Sequence, residues 1–551
     1  MNPREISDIK VLQDLVIELL NRVEELSQSH ASVQAQLADA LDEINRLKGE
    51  KGRPKFSAKR KVPKLVSGKV VRKKRSKQST PSSKDSDSAS QIDQVKIVDS
   101  PPLDLPADAE FKGYREVIHR DIELKRVNTA YRIARWYSAS TGKSYESSLP
   151  EGAVAGLGAS LRSFIQILHH GGDMTHRRIQ EFLQHLGIEL SSGTISNVLT
   201  HSDWVESEYE ELLRTSLSQS PYVQMDSTSS REKGQGMHTQ IMCGEFFTLF
   251  STQEGRSRMD VYAALQGTSR RELQLAYTPL AIELMESAKV SKKHLGYLAE
   301  QFEPGQLLDF HTLRKQHFEK ASVFEKTNKG RRSVIAGALA AGYYHQQDQV
   351  PKVSHLLSDE ALEYQKVATE KQFHCWVHAI RLYRKLNPIQ EYLRSIHTQF
   401  MDRVWKLYDK LKQYRKAPPE TRKEMQEKVR QEFETLFTPH TDYKALNKQI
   451  RHTQQNQEFL LAFLEHPYVP LHNNAAERGA RRVVRKRDIS LHTWSKRGTR
   501  IKDAFMSLFQ TAKKLGISFL HYLSQRNAGI TDTPTIAQIL GQTYRSKPTA
   551  F

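Results

Sequence analysis

Residues 222–252 read YVQMDSTSSREKGQGMHTQIMCGEFFTLFST. Three runs in this stretch suit strands: Tyr222 to Asp226, Met237 to Cys243 and Phe246 to Thr252. Gly234 and Gly236 mark the first turn and Gly244-Glu245 the second, so the segment reads as a β-meander. Its first strand ends on an acid, Asp226. Downstream, Val353 to Ser358 reads as a short buried strand ending on Asp359, and Gln372 to Cys375 as a further strand. Two strong helices follow, from about Asn474 to Arg487 and from about Arg500 to Leu515. The second carries Ile501, Ala504, Phe505, Leu508, Phe509 and Ala512 in helical register. Glu477 sits early on the first.

The chain around this segment is long and basic. Its 551 residues exceed one hydrophobic core and call for several units. Lys and Arg number 83 against 63 acids, a net charge of +20, which points to a polyanionic partner. The longest apolar candidate, Val334 to Tyr344, is about half a membrane span. The N-terminus lacks a signal peptide's apolar core. Nucleic acid is therefore the expected partner, without a membrane, and the cytoplasm (in a bacterium, the nucleoid) the expected place. The two cysteines, Cys243 and Cys375, support neither a disulfide framework nor a cysteine-rich zinc ribbon.

Residues 1–48 carry an unbroken heptad. Ile9, Val16, Val23, His30, Leu37 and Ile44 fall at one position; Leu12, Leu19, Leu26, Val33, Ala40 and Leu47 fall three residues later. Such a seam predicts a coiled coil that pairs copies of the chain. Residues 49–107 read as a disordered linker, with thirteen basic residues and no acid from Lys51 to Lys77. Residues 108–152 read as a small β unit, with strands Tyr114–Val127 and Tyr131–Tyr137 turning at Asn128-Thr129. In residues 153–215, three apolar stripes around Phe164, Phe182 and Val198, with an N-cap at Ser191, read as a helix-turn-helix. Thr194, Ser196 and Asn197 would then face outward as DNA-reading residues. A plain helical connector is the competing reading.

The meander, the later strands and the two helices place a catalytic core at 216–255, 351–390 and 467–527. Helical insertions fill 256–350 and 391–466, and 528–551 is a short tail. In a ribonuclease-H-like arrangement, the first strand, the later parallel strand and the crossing helix bring Asp226, Asp359 and Glu477 together. Two divalent cations would neutralise such a cluster and clamp the oxygens of a phosphodiester. Hard oxygen donors suit Mg2+ or Mn2+. On spacing alone the trio does not stand apart from ordinary strand-end acids, which mostly cap or meet solvent.

A resemblance separates them. Asp226-Ser227-Thr228 with Arg231 and Gly236 resembles the first-acid motif of insertion sequence 66 transposases. Ser358-Asp359-Glu360, followed by Cys375-Trp376-Val377-His378, Arg381, Tyr383 and Lys385-Leu386, resembles the second. Residues 473–486, NNAAERGARRVVRK, resemble the third, and the likeness runs on to Tyr522-Leu523. The resemblance implies a DDE transposase with Asp226, Asp359 and Glu477 as its catalytic, metal-binding triad and two Mg2+ (or Mn2+) ions. Two departures stand out. Many relatives carry a cysteine-rich zinc unit where residues 50–220 here hold no cysteine, so no zinc is expected. Ser227 also stands where many carry a second acid.

Arg478, Arg481, Arg482 and Arg485, with Lys486, share a helical face beside Glu477 and suit phosphate contact. Asn473 and Asn474 read as helix caps near the site. Cys375 and His378 read as structural, locking their helix against the active-site strands, since two ligands do not close a zinc site.

The whole is a multidomain α/β protein: coiled coil, helix-turn-helix and ribonuclease-H-like core with two insertions. The expected activity cuts double-stranded DNA at the terminal inverted repeats of an element and joins the 3′-hydroxyl ends to target DNA, in a homo-oligomer. A catalytically silent DNA-binding relative and a nuclease that cuts without joining are the rival readings.

Overall fold

The computed structural model describes residues 9–47, parts of 92–111, and residues 113–150, 156–530 and 532–546. The basic linker expected at 49–107 lies largely outside the described residues. Two units separate: Met1–Ser27 with Lys125–Phe551, and Gln28–Leu124. Helix α1 (Ile9–Leu47) begins in the first and continues into the second. No strand forms over residues 113–134. A hairpin lies further on instead, β1 (Arg135–Ser138) with β2 (Lys143–Glu146). Gly142, at φ 65°, supplies the left-handed turn residue that Asn128-Thr129 do not.

Three short helices follow: α2 (Ala159–His170), α3 (His176–His185) and α4 (Ser192–Thr200). They bury Ile165, Ile179, Leu183, Ile195 and Leu199 against one another. Ser191 Oγ accepts from Thr194 N at 3.0 Å and starts α4. Helix α5 (Asp203–Gln219) leads into the sheet.

That sheet has five strands in the order β5-β4-β3-β8-β9. β3 (Val223–Glu232), β4 (Gln235–Cys243) and β5 (Thr248–Gln253) form the antiparallel meander. β8 (His355–Ser358) and β9 (Lys371–His374) run parallel to β3. β3 continues six residues past Asp226, which is therefore mid-strand. The polar run Ser227–Glu232 shows no apolar pattern, but β4 pairs with it through Glu232↔Gln235. Lys233 and Gly234, at φ 48° and 78°, make the tight turn that this pairing needs.

Helices cover the sheet. α17 (Lys496–Leu515) lies along edge strand β5 and satisfies its outward amides: Thr511 Oγ1 accepts from Thr248 N at 3.1 Å, Ser507 Oγ from Phe250 N at 2.9 Å and Asp503 Oδ2 from Thr252 N at 2.6 Å. An edge closed by side chains cannot recruit another strand. α16 (Asn474–Ser490) crosses β3 and β4 and buries Ala476 and Val483 against Ile241 and Phe250. A Cβ at Gly479 would stand 2.7 Å from Ile241 Cγ2, so only glycine permits this approach.

The first insertion holds α6 (Arg258–Leu265), α7 (Pro279–Ser287), α8 (Lys292–Gln301), a single turn α9 (Phe310–Thr312) that passes into a π-helical turn, and α10 (Lys329–Gln346). It is not wholly helical: β6 (Gln274–Ala276) pairs with β7 (Leu307–Asp309), burying Leu275 and Leu308. After β9 comes α11 (Trp376–Arg384). The second insertion is α12 (Glu391–Lys416), α13 (Pro419–Leu436), α14 (Lys444–Gln455) and the short α15 (Gln457–Leu461). The C-terminal segment is no loose tail. Beyond α18 (Phe519–Asn527), α19 (Ile536–Ser546) buries Ile536, Ala537, Leu540 and Tyr544 in the main core. The mixed α/β architecture, with its N-terminal helix and five-stranded sheet, is consistent with a ribonuclease-H-like core.

Candidate active site

Strand register sets the first two acids side by side. β3 and β8 are parallel, with Val223 opposite Leu356 and Gln224 opposite Leu357. Asp226 and Asp359 each lie two residues beyond the last pair, on adjacent strands about 5 Å apart. Asp226 Oδ1 accepts from Ser227 N at 2.8 Å, and Asp359 Oδ1 from Ala361 N at 3.2 Å. These local bonds orient the carboxylates.

Glu477 arrives on the first turn of α16. Asn473 fixes that turn, but not as a cap: its side chain makes no capping bond. Its Nδ2 donates instead to the Met225 carbonyl at 2.7 Å, next to Asp226, and its backbone N–H donates to Cys375 Sγ at 3.2 Å. The buried amide thus ties α16, β3 and α11 at one point. Helix-start statistics favour capping, and only the tertiary neighbour redirects the group. Asn474 begins the helix half-buried.

Cys375 is buried, and burial pushes its thiol up. Trp376 Nε1 donates to the Leu460 carbonyl at 2.8 Å, and Tyr383 OH meets Thr453 Oγ1 at 2.6 Å. These contacts brace α11 against the second insertion, with two side chains directed at Glu477. His378 Nε2 lies 3.6 Å from Oε1, and the Arg381 guanidinium takes both carboxylate oxygens at 3.1 and 3.3 Å.

The three acids feel one another. Burial pushes the Asp226 carboxyl up to about 6; Asp359 and Glu477 add to the rise, while the Ser227 amide and Arg381 oppose it. Buried Tyr364 closes the floor, its OH donating to Gln240 Oε1 at 3.4 Å. Glu360, beside Asp359, meets His452 Nε2 of α14 at 2.5 Å. Three mutually repelling carboxylates are the donor set that hard divalent cations favour. As placed, no three Asp, Glu, His or Cys side chains among the described residues stand close enough to hold a metal ion. Glu477 faces Arg381.

Residues 155–274 and 309–501, which include all three acids, match the family described as Transposase IS66 family. The chain belongs to that family. It is also 29% identical over 318 residues to an uncharacterized protein, y4jO, of Sinorhizobium fredii, covering 57% of this chain and 94% of the relative. Membership implies DDE transposase activity, DNA binding and divalent metal ions. No helix among the described residues is long and apolar enough to cross a membrane.

The residues expected to meet DNA do not share one surface in this IS66 transposase. Arg478, Arg481 and Arg485 are exposed along α16. Arg482 and Lys486 turn the other way: Arg482 pairs with Asp173, and Lys486 Nζ donates to the His169 carbonyl at 2.7 Å. In the three-helix bundle, Asn197 is exposed and Thr194 half-buried. Ser196 faces a cavity of about 350 Å³ between α4 and the end of α16, with His169, His176 and Lys486. Arg381 and Tyr364 are the site residues that spacing did not single out. Arg381 lies four residues ahead of Lys385-Leu386 in the quoted motif, but nothing local ties it to an acid 96 residues away.

Proposed function

We propose that the chain cuts phosphodiester bonds at the ends of an insertion sequence and joins the freed 3′-hydroxyls to target DNA. The convergence of Asp226, Asp359 and Glu477 from three elements, inside the family-matched segments, carries this reading. Mg2+ or Mn2+, held by these carboxylates when bound, supplies Lewis-acid stabilisation of the attacking and leaving oxygens. Asp226, within β3, and Asp359, just past the end of neighbouring β8, orient the phosphodiester. Arg478, Arg481 and Arg485 run away from Glu477 along α16 and grip backbone phosphates. The bundle at α4 reads base edges through Thr194 and Asn197. The heptad of α1 pairs copies, since two element ends are cut together.

The test uses the purified full chain, Mg2+ or Mn2+, and a plasmid carrying the DNA that flanks its own gene. Nicked ends and strand-transfer products are expected from wild type, and neither from Asp226→Asn, Asp359→Asn or Glu477→Gln. Binding without cleavage by wild type would favour a silent DNA-binding protein. Cleavage without joining would favour a nuclease.

A further inference from the structure

One guanidinium holds both oxygens of a triad acid. Arg381 donates from Nη1 to Glu477 Oε1 at 3.1 Å and from Nη2 to Oε2 at 3.3 Å, the two-pronged geometry in which arginine binds carboxylate most strongly. His378 reinforces it, with Nε2 3.3 Å from Arg381 Nη1 and 3.6 Å from Glu477 Oε1. Arg481 approaches Oε2 at 3.9 Å. Asp226 and Asp359, by contrast, accept from nearby backbone amides, those of Ser227 and Ala361. The two partners differ in freedom: the Glu477 side chain is 15% exposed, the Arg381 side chain 44%. The acid is built in, and the arginine reaches it from the rim, from a helix braced at Trp376 and Tyr383.

We propose that Arg381 is the counter-charge of the unloaded site, holding Glu477 until a divalent cation arrives and yielding it on loading. This rests on reading the triad as the metal site. Without a cation, the charges of Asp359 and Glu477 both bear on Asp226, and the guanidinium on Glu477 offsets that repulsion. When a divalent ion enters, guanidinium and metal compete for one carboxylate and repel each other. Loading therefore weakens the Arg381–Glu477 pair, and the pair in turn weakens loading, because the two effects are reciprocal. Arg381 is a positioning residue: it sets where Glu477 stands and how readily the site fills.

The test uses the full chain, Mn2+ alone as probe, and two readouts that need no catalysis: thermal stability with and without Mn2+, and Mn2+ affinity from the free-ion electron paramagnetic resonance signal. Without metal, Arg381→Gln is expected to melt below wild type. With Mn2+ it should recover more than wild type gains, and it should bind Mn2+ more tightly, on the order of tenfold. Arg381→Lys keeps a charge and loses the fork, and its affinity should fall between the two; it carries the test should Arg381→Gln not fold. Equal or weaker Mn2+ binding by these variants, with melting lowered equally in both conditions, would overturn the proposal and leave Arg381 a structural brace. Glu477→Gln separates the two readings. Wild-type Mn2+ affinity in that variant would remove the triad assignment itself.

Discussion

Arg482, on the helix that carries Glu477, forms an ion pair with Asp173 in the turn between α2 and α3, both side chains less than a fifth exposed. Arg482 Nη2 also donates to the His170 carbonyl at 2.7 Å, and Lys486 Nζ to that of His169. Burial draws the Lys486 ammonium down to about 8. Asp173 sits at φ 60°, a conformation that aspartate and asparagine tolerate better than most residues. Two of the five cations on this stretch of α16 therefore fasten the three-helix bundle to the helix that carries Glu477. The other three, Arg478, Arg481 and Arg485, stay exposed and are the ones proposed to meet DNA.

The two groups should separate under mutation. Asp173→Asn keeps the backbone conformation and strands Arg482 without its counter-charge; breaking a buried pair this way costs about 3–5 kcal/mol. Thermal denaturation should show the loss. Arg481→Ala with Arg485→Ala should leave the melting temperature unchanged and weaken binding to any duplex. The salt slope should flatten by about one unit per lost phosphate contact. If the Arg481 and Arg485 variant melts early while DNA binding holds, these roles are reversed.

This division shows where periodicity stops informing. Spacing of three and four puts five cations near one face, but a face about 100° wide borders two neighbours. Whether Arg482 turns to solvent or to Asp173, 309 residues earlier, depends on tertiary packing. Asn473 shows the same limit, as its amide finds Met225 rather than its own helix. Strands were legible where short runs stand between turn glycines, as at Met237–Cys243. They were not where pairing alone extends them, as over Ser227–Glu232. The three acids were proposed from their motifs, which lie inside the segments that match the family. Arg381 was not, since its role exists only once α11 and α16 meet.

Asp226 should make the metal-free chain less stable as pH rises. Its carboxyl, ordinarily near 3.8, is pushed up to about 6, chiefly by burial. A native group with a raised pKa contributes its stability fully below the ordinary value and loses it as pH passes the native one. Relative to Asp226→Asn, wild type should therefore lose stability between pH 4 and pH 7, by on the order of 2 kcal/mol. Chemical denaturation in chelator across that window measures the difference. A constant difference between the two proteins would show that Asp226 carries no such burden.

The C-terminal helix should matter to the whole core. Leu540 is fully buried, and Tyr544 OH reaches Ser220 Oγ at 3.3 Å. The Tyr544 ring meets Phe246 at 5.1 Å between centroids, so α19 clamps the end of α5 to the turn between β4 and β5. Leu540→Ala should cost about 2–5 kcal/mol, and limited proteolysis should then cut before α19 ahead of global unfolding. Unchanged protease resistance would mean that the helix adds little to the core.

Helix α1 presents two faces with different work to do. Asn21 and Glu24 are buried against the second insertion. Asn21 Nδ2 donates to the Asp442 carbonyl at 2.7 Å, and its Oδ1 accepts from Lys444 N at 2.9 Å. Glu24 accepts from Ile389 N at 2.8 Å and Gln390 N at 3.0 Å, where a carboxylate also suits the nearby N-terminus of α12. Val16, Leu19, Val23 and Leu26 are 53, 56, 45 and 60% exposed. At about 100° per residue this seam lies on the side of the helix opposite Asn21 and Glu24. Docking therefore leaves the heptad free to meet a second copy. Leu19→Asp or Leu26→Asp should lower the mass seen by light scattering to that of a monomer and leave residues 9–27 as protected from hydrogen exchange within the monomer as docking makes them. Asn21→Ala with Glu24→Ala should raise exchange at Ile389 and Gln390 and keep the assembled mass. If the aspartate variants keep their mass, the seam is not what joins copies. If they also release Ile389 and Gln390 to exchange, docking and pairing are one event rather than two.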